Sequence, residues 1–219
     1  MKKTGDLFRE LPDCKPEQLR LAEGAFILCG FAREIDKMLL SEIESIILQS
    51  PFRNMVTPGG ALMSVAMSNC GSVGWVSDRS GYRYASCDPV SGLPWPGMPA
   101  LFLEIAKRAA ACAGFENFVP DACLINLYEP GTRLSLHQDK DEQDASAPIV
   151  SVSLGLPAIF LFGGAKRSIR PRRLPLEHGD VVVWGGLARF NFHGILPITE
   201  GKHPLLDSRR INLTFRKAL

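Results

Sequence analysis

Four histidines, His137, His178, His193 and His203, are spread over 219 residues. His137 and Asp139 form an HxD pair inside SLHQDKDE. Residues two apart on a strand point to the same face, so an imidazole nitrogen and a carboxylate oxygen can meet one cation. His193, in FNFHGILP, falls on a later expected strand and supplies a third ligand. Two histidines and a carboxylate on one face leave three coordination positions open for a co-substrate and oxygen, which is the non-haem Fe(II) arrangement. An HxD pair by itself is also met by chance, and a hydrogen-bonded histidine near a strand end would read the same way. His178, in EHGD, reads as a turn residue, and His203, between Lys202 and Pro204, as a solvated loop residue.

The last expected strand adds a second chemistry. Arg210, Asn212, Thr214 and Arg216 share one face, and Ile211, Leu213 and Phe215 share the other. An edge strand with its polar face in water would show this alternation too. Two guanidiniums on one face suggest instead bidentate clamps for carboxylates. Asn126 and Tyr128, together on one face of the strand before the HxD, can also donate to an acid. A metal triad beside several carboxylate donors implies a small dicarboxylate co-substrate that chelates the iron.

These residues need a scaffold of short strands. Apolar residues at helical spacing predict a helix over 34–49, stopped by Pro51, and a second over about 99–113. A short buried strand is expected within 24–31. Short strands follow at about 122–128, 133–139, 149–154, 158–163, 172–177, 180–184, 190–196 and 209–216, separated by Gly, Pro and Asp turns. The expected class is mainly β with flanking helices (α+β), folded as a barrel or a double-sheet jelly roll. Residues 145–165 carry no charge, but Pro148, Gly155, Pro157, Gly163 and Gly164 interrupt them and 150–154 alternate, so they read as two strands and not a membrane span. Residues 69–99 are rich in Gly, Ser and Pro, yet hold Trp75, Tyr82, Tyr84 and Trp95 out of three Trp and three Tyr in the chain. Arg79 and Arg83 are interleaved with them. Long loops in compact domains are functional or disordered, and disorder rarely uses scarce aromatics, so this stretch is expected to be a binding lid. Trp184 in VVVWGG is expected in the core. Arg53, Arg79, Arg83, Lys140 and Arg167 are candidate phosphate contacts only if they cluster on one rim.

Composition sets bounds. Hydrophobic residues make up 46%, charged residues 22% and the net charge is +2, which excludes wholesale disorder and gives no global electrostatic commitment. Six cysteines without a CxxC pair read as free thiols in a reducing compartment. Residues 1–13 lack an apolar signal region, so the expectation is a cytoplasmic, monomeric protein without membrane contact.

In combination, SPFRNMVTPGGALMSVAMSNCG (50–71), PDACLINLYEPGTRLSLHQDKDE (120–142), PIVSVSLGLPAIFLFGG (148–164), LEHGDVVVWGG (176–186) and RRINLTFR (209–216) resemble the AlkB family of Fe(II)/2-oxoglutarate-dependent dioxygenases, in particular its bacterial members. The resemblance covers about 24–217. It implies a double-stranded β-helix, with residues 1–23 as an extension, 24–219 as one dioxygenase domain, a nucleotide-recognition lid at about 50–98 and the β-helix core at about 120–219. It implies that His137, Asp139 and His193 hold iron and are catalytic, and that Arg210 pairs with the distal carboxylate of 2-oxoglutarate. Asn126, Tyr128, Asn212 and Arg216 would complete the co-substrate pocket. Trp75 and Tyr82 would hold an N-methylated base, Asp141 would approach its exocyclic amine, and Arg167 would sit at the rim. Thr57, Met63 and Met67 would line the nucleotide groove. Ala61, where a Tyr is expected, and Leu127, in place of a basic residue, depart from the family's pattern and bear on substrate range.

The implied reaction consumes 2-oxoglutarate and O₂, and removes N-alkyl groups such as those of 1-methyladenine and 3-methylcytosine from single- or double-stranded DNA, or RNA. Formaldehyde, succinate and CO₂ are the products. A base in a duplex must be flipped to reach a buried iron. Two other classes compete: a dioxygenase of the same fold acting on a small molecule or protein side chain, which a lid without aromatics and arginines would favour, and a redox-inactive cupin-like module or zinc hydrolase, which has no use for a dicarboxylate clamp.

Overall fold

The computed structural model describes residues 17–219, so the extension expected at 1–23 lies mostly outside the described residues. Its last part does not hang loose. β1 (Gln18–Ala22) pairs antiparallel with β2 (Ala25–Leu28). A single 3-10 turn (Arg33–Ile35) leads into α1 (Asp36–Gln49). Then come β3 (Arg53–Val56), β4 (Leu62–Gly71), β5 (Gly74–Asp78), β6 (Gly81–Ala85) and α2 (Ala100–Cys112). The remaining strands are β7 (Ala122–Tyr128), β8 (Leu134–His137), β9 (Ile149–Gly155), β10 (Ala158–Phe162), β11 (Arg172–Leu176), β12 (Val181–Trp184), β13 (His193–Ile195) and β14 (Arg210–Arg216).

An eight-stranded sheet has the order β1-β2-β12-β9-β14-β7-β4-β3, and a four-stranded sheet the order β11-β10-β13-β8. They form the expected two-sheet jelly roll with helices on one side. Alternation along each strand assigns its residues to two different cores. Ile211, Leu213 and Phe215 of β14, with Val150 and Val152 of β9, pack under Leu39, Ile43, Phe102 and Ile105 of the helices. Met67, Leu124, Tyr128, Phe160, Phe162, Trp184 and Ile195 fill the space between the sheets. All seven residues of β14 are buried. Its polar face is therefore turned into the molecule, which removes the edge-strand reading.

The stretch expected as a long lid loop is more regular than its composition suggested. β4 is a ten-residue strand of the large sheet, paired with β7 from Ala66↔Leu127 to Gly71↔Ala122. Its serines and asparagine gave no strand signal, but each is satisfied: the buried Ser68 donates to the Ser50 carbonyl, the buried Asn69 exchanges hydrogen bonds with the Trp75 backbone, and the exposed Ser64 donates to the Arg133 carbonyl. β5 and β6 form a hairpin, turned at Gly81 with φ +128° and by Asp78 accepting from the Ser80 N–H.

One glycine fixes the start of the critical strand. Gly155 has φ +93°, and an added Cβ would collide with the Arg209 carbonyl oxygen. It also pairs with Arg210 and donates its N–H to His178 Nδ1. Gly155→Ala is expected to cost more than about 1 kcal/mol, because both the backbone conformation and the space oppose it. The measurement is a urea titration, with a lower midpoint at unchanged slope; an unchanged midpoint would contradict the assignment.

Candidate active site

His137 ends β8 and His193 begins β13, and they are direct cross-strand partners, with ring centroids 4.3 Å apart. His137 Nδ1 lies 2.8 Å from the Ser135 carbonyl, and His193 Nδ1 lies 3.0 Å from the Asn191 carbonyl. A carbonyl only accepts, so each Nδ1 carries the proton and each Nε2 presents a lone pair. Asp139 was expected on the same strand as His137. The strand stops at His137 instead, and Asp139 sits in the following loop, pulled inward by Arg216. The Arg216 Nε and Nη2 both donate to Asp139 Oδ2, at 3.0 and 2.8 Å. Oδ1 is left facing His137 Nε2 at 3.5 Å. The three ligand atoms lie within 4.8 Å of one another. Two neutral imidazoles and an anionic oxygen suit a divalent transition metal, so His137, Asp139 and His193 fit the iron.

Electrostatics favour this state at His193 and Asp139, while at His137 burial is outweighed by the Asp139 carboxylate, which raises the pKa. Burial, then the neighbouring His137, lower the His193 pKa to about 4, which keeps it neutral and able to ligate. Burial works against the Asp139 carboxylate, but Arg216 outweighs it and holds the group well below the usual carboxylate range.

Arg216 belongs to a larger buried network. Its Nε lies 3.3 Å from Glu142 Oε1, and Arg189 Nη2 pairs with Glu142 Oε2 at 2.9 Å. The Tyr84 hydroxyl, on the hairpin, donates to Glu142 at 2.6 Å. Arg189 also donates to the carbonyls of Asp139 (2.7 Å) and Ala147 (3.1 Å). One guanidinium thus fastens an irregular loop at three points, and that loop carries Asp139 and Asp141. The residue reading missed Glu142 and Arg189. Glu142 sits in an acidic run that reads as solvated, and Arg189 directly follows a single 3-10 turn (Gly186–Ala188) without periodicity.

Arg210 is different. It is 1% exposed. Nη2 donates to Ser153 Oγ at 2.9 Å, and the guanidinium lies over Tyr128 at 5.2 Å. Its Nε and Nη1 have no partner among the described residues, and burial lowers its pKa. Asn126 faces Asn212 across the β7–β14 pair, and Tyr128 faces Arg210. Asn126 Oδ1 is also without a partner among the described residues. Asn126 Oδ1 is an acceptor, whereas the two free Arg210 nitrogens are donors; unsatisfied buried donors are costly, so the Arg210 corner suits a ligand with carboxylate oxygens.

The residues that the family resemblance places at the metal, co-substrate and base positions all line one cavity of about 920 Å³. At its floor are the triad, Asn126, Tyr128, Arg210, Asn212 and Arg216. At its mouth are Thr57, Met63, Trp75, Tyr82, Asp141 and Arg167, and Met67 lies between. Trp75 stacks on Tyr82 with centroids 5.5 Å apart and planes 14° from parallel. Its indole N–H donates to Asp141 at 3.0 Å. Arg167 donates to the Leu136 carbonyl at 2.9 Å.

Other candidates move elsewhere. Arg53 pairs with Asp88 and lies over a buried Trp95. Arg83 pairs with Asp78 inside the hairpin. Both are structural and not free phosphate contacts. His178 is held between Gly155 and Asp36, outside the cavity. His203 is not simply solvated; its ring lies 4.4 Å from that of His178. Trp184 is core, as expected, and also packs 4.9 Å from His193.

The description of the 2OG-Fe(II) oxygenase superfamily matches residues 24–216. The chain is 58% identical over 213 residues to the alpha-ketoglutarate-dependent dioxygenase AlkB of Escherichia coli K12, covering 97% of each. The chain belongs to the AlkB family of that superfamily. It is 34% identical over 174 residues to the DNA N(6)-methyladenine demethylase ALKBH1C of Arabidopsis thaliana, over 68% of this chain and 38% of that one. The solved structure of OsALKBH1 superposes with a TM-score of 0.81 at 29% identity, covering 92% of this chain and all of the other. As an AlkB-family member the protein is an Fe(II)- and 2-oxoglutarate-dependent dioxygenase with O₂ as co-substrate.

For the AlkB-family triad the expected outcome is loss of iron binding in His137→Ala, Asp139→Ala and His193→Ala, and its retention in His178→Ala, read by metal titration. A silent His193 would contradict the ligand set. A pH dependence follows as well. The unfolded state takes up a proton at His193 near its ordinary pKa of about 6.5, whereas the folded state resists until about 4. The unfolded state thus binds more protons between those values, and stability falls as pH falls. Urea midpoints of the metal-free protein should drop across this window, and the drop should be shallower in His193→Asn. A flat profile would contradict the buried neutral assignment.

Proposed function

We propose that the protein oxidatively demethylates N-alkylated nucleic-acid bases, with 1-methyladenine and 3-methylcytosine in DNA or RNA as its substrates. The observation that carries this reading is the mouth of the cavity: a stacked Trp75–Tyr82 pair whose indole is hydrogen-bonded to Asp141, lining the same cavity as the triad. An aromatic plane joined to a carboxylate suits a flat, positively charged base. The AlkB name of the Escherichia coli relative and the demethylase name of the Arabidopsis one point the same way.

In this reading His137, Asp139 and His193 hold Fe(II). Arg210 receives the distal carboxylate of 2-oxoglutarate with its two unpartnered nitrogens, while Asn126, Tyr128, Asn212 and Arg216 wall the pocket. Iron bound with 2-oxoglutarate and O₂ supplies the oxidation that turns an N-methyl into a hydroxymethyl group, which leaves as formaldehyde, with succinate and CO₂ formed. The chain's part is positioning. Trp75 stacks the flipped base, worth about 1–3 kcal/mol, and Asp141 accepts from its exocyclic amine. Thr57, Met63 and Met67 flank the nucleotide, and Arg167 meets the backbone at the rim. The apolar walls formed by Phe160, Trp184 and Ile195 exclude water. Lesions that block the pairing edge also cost less to flip, so single-stranded and melted duplex substrates both enter. All these side chains come from one chain, so a monomer suffices, and the five described cysteines are free, in keeping with a cytoplasmic enzyme.

The test is formaldehyde release from a 1-methyladenine or 3-methylcytosine oligonucleotide, with the unmethylated oligonucleotide as control. Trp75→Ala should weaken binding of the methylated oligonucleotide by about 1–3 kcal/mol and leave substrate-independent 2-oxoglutarate turnover in place. Asp141→Ala should reorder the lesions. Consumption of 2-oxoglutarate without formaldehyde from any nucleic acid would instead assign a small-molecule or protein substrate.

A further inference from the structure

The connection from β10 to β11 carries an unusual density of charge. In KRSIRPRR, five of eight residues are cationic: Lys166, Arg167, Arg170, Arg172 and Arg173. None is acidic, and all five cations are exposed. None takes part in a salt bridge among the described residues, where Arg53, Arg83, Arg189, Arg216 and Lys217 do. A chain with a net charge of only +2 has concentrated uncompensated charge in one hairpin.

The sheet register says where that hairpin lies. His137 pairs with His193, His193 with Phe162, and Phe162 with Arg172. These four residues form one row across the four-stranded sheet. With strands about 4.8 Å apart, Arg172 stands about 10 Å from His193 and about 14 Å from His137. The row marks the end of the sheet at which the cavity opens, and residues 163–171 leave from that end. Arg167 is anchored there, donating to the Leu136 carbonyl and lying over Phe192 at 5.6 Å. The segment runs from Arg167 at the rim to Arg173, which alternates with the buried Leu174 and so lies on the outer face of the four-stranded sheet. Arg172 is tied to the Leu21 carbonyl at 2.9 Å, which holds the start of β11 against β1.

We infer that Lys166, Arg170 and Arg173 form a phosphate-contact strip that extends the nucleic-acid footprint beyond the flipped nucleotide. The inference rests on the demethylase reading above, and adds that the substrate is a polynucleotide gripped at a distance from its lesion. The start of β11 lies about 10–14 Å across the sheet from the iron ligands, several times the axial rise of about 3.4 Å per nucleotide of a strand, so contacts there fall beyond the flipped nucleotide. Such contacts are to the backbone, so they add affinity and salt dependence without sequence preference.

The test compares two DNA substrates, a trinucleotide with a central 1-methyladenine and a single strand of about fifteen nucleotides with the same lesion. The variant is Lys166→Ala/Arg170→Ala/Arg173→Ala, which leaves Arg167 and Arg172 in place. The expected result is longer-strand binding weakened about tenfold or more at 0.1 M salt, with a log–log salt slope shallower by about 2. Demethylation of the trinucleotide should be unchanged, and Lys166→Arg/Arg170→Lys/Arg173→Lys should restore both affinity and slope. Wild-type affinity and slope in the triple-alanine variant would overturn the strip while leaving the demethylase reading intact. If the wild-type enzyme releases formaldehyde from neither DNA, nor from the RNA strands of the same sequences, the demethylase reading has failed and the strip falls with it.

Discussion

Two guanidiniums on one wholly buried strand are the constraint around which the site is organised. Burying a charge is expensive unless it is paired, and β14 carries Arg210 and Arg216 between the sheets. Arg216 resolves the problem internally, through Asp139 and Glu142. In doing so it fixes one carboxylate oxygen of Asp139 and leaves the other for the metal. Arg210 resolves it only in part, through Ser153 and the face of Tyr128. The two arginines share a face and a strand, and differ in function because one has acids around it and the other has an open cavity.

The network around Arg216 also joins parts that the chain keeps far apart. Tyr84 comes from the hairpin, Glu142 from the loop after the HxD, and Arg189 from the turn before His193. Glu142 sits between two guanidiniums and a phenol, so its loop cannot shift without breaking several buried, charge-assisted bonds. That rigidity serves both ends of the loop. Asp139 stays at the metal site, and Asp141 stays under Trp75 at the mouth.

Much of this was legible in the sequence where a period or a rare residue type marks it. The alternation Arg210, Asn212, Thr214, Arg216 placed a polar face on a strand, and β7 supplies Asn126 and Tyr128 as direct partners of Asn212 and Arg210. The triad was legible because histidine is scarce here and the HxD spacing is restrictive. β4 was not, because Ser64, Ser68 and Asn69 look like loop residues until their partners are known. Arg53 and Arg83 looked free because Asp88 is 35 residues from Arg53 and because a pair within a hairpin is indistinguishable from two solvated charges. Arg189 and Glu142 lie 47 residues apart in segments without periodicity, and only tertiary contact reveals them.

If Arg210 is held ready for a carboxylate, its charge is a burden in the absence of ligand and a source of stability in its presence. Thermal unfolding of the protein loaded with Mn(II), with and without 2-oxoglutarate, measures both sides in the wild type and in Arg210→Met. The account predicts that 2-oxoglutarate raises the wild-type Tm by linkage. It predicts that Arg210→Met without ligand is at least as stable as wild type, since a desolvated, half-satisfied charge has been replaced by an apolar side chain, and that it loses the 2-oxoglutarate shift. A variant that is clearly less stable than wild type without ligand, and still gains the full shift with it, would contradict the account.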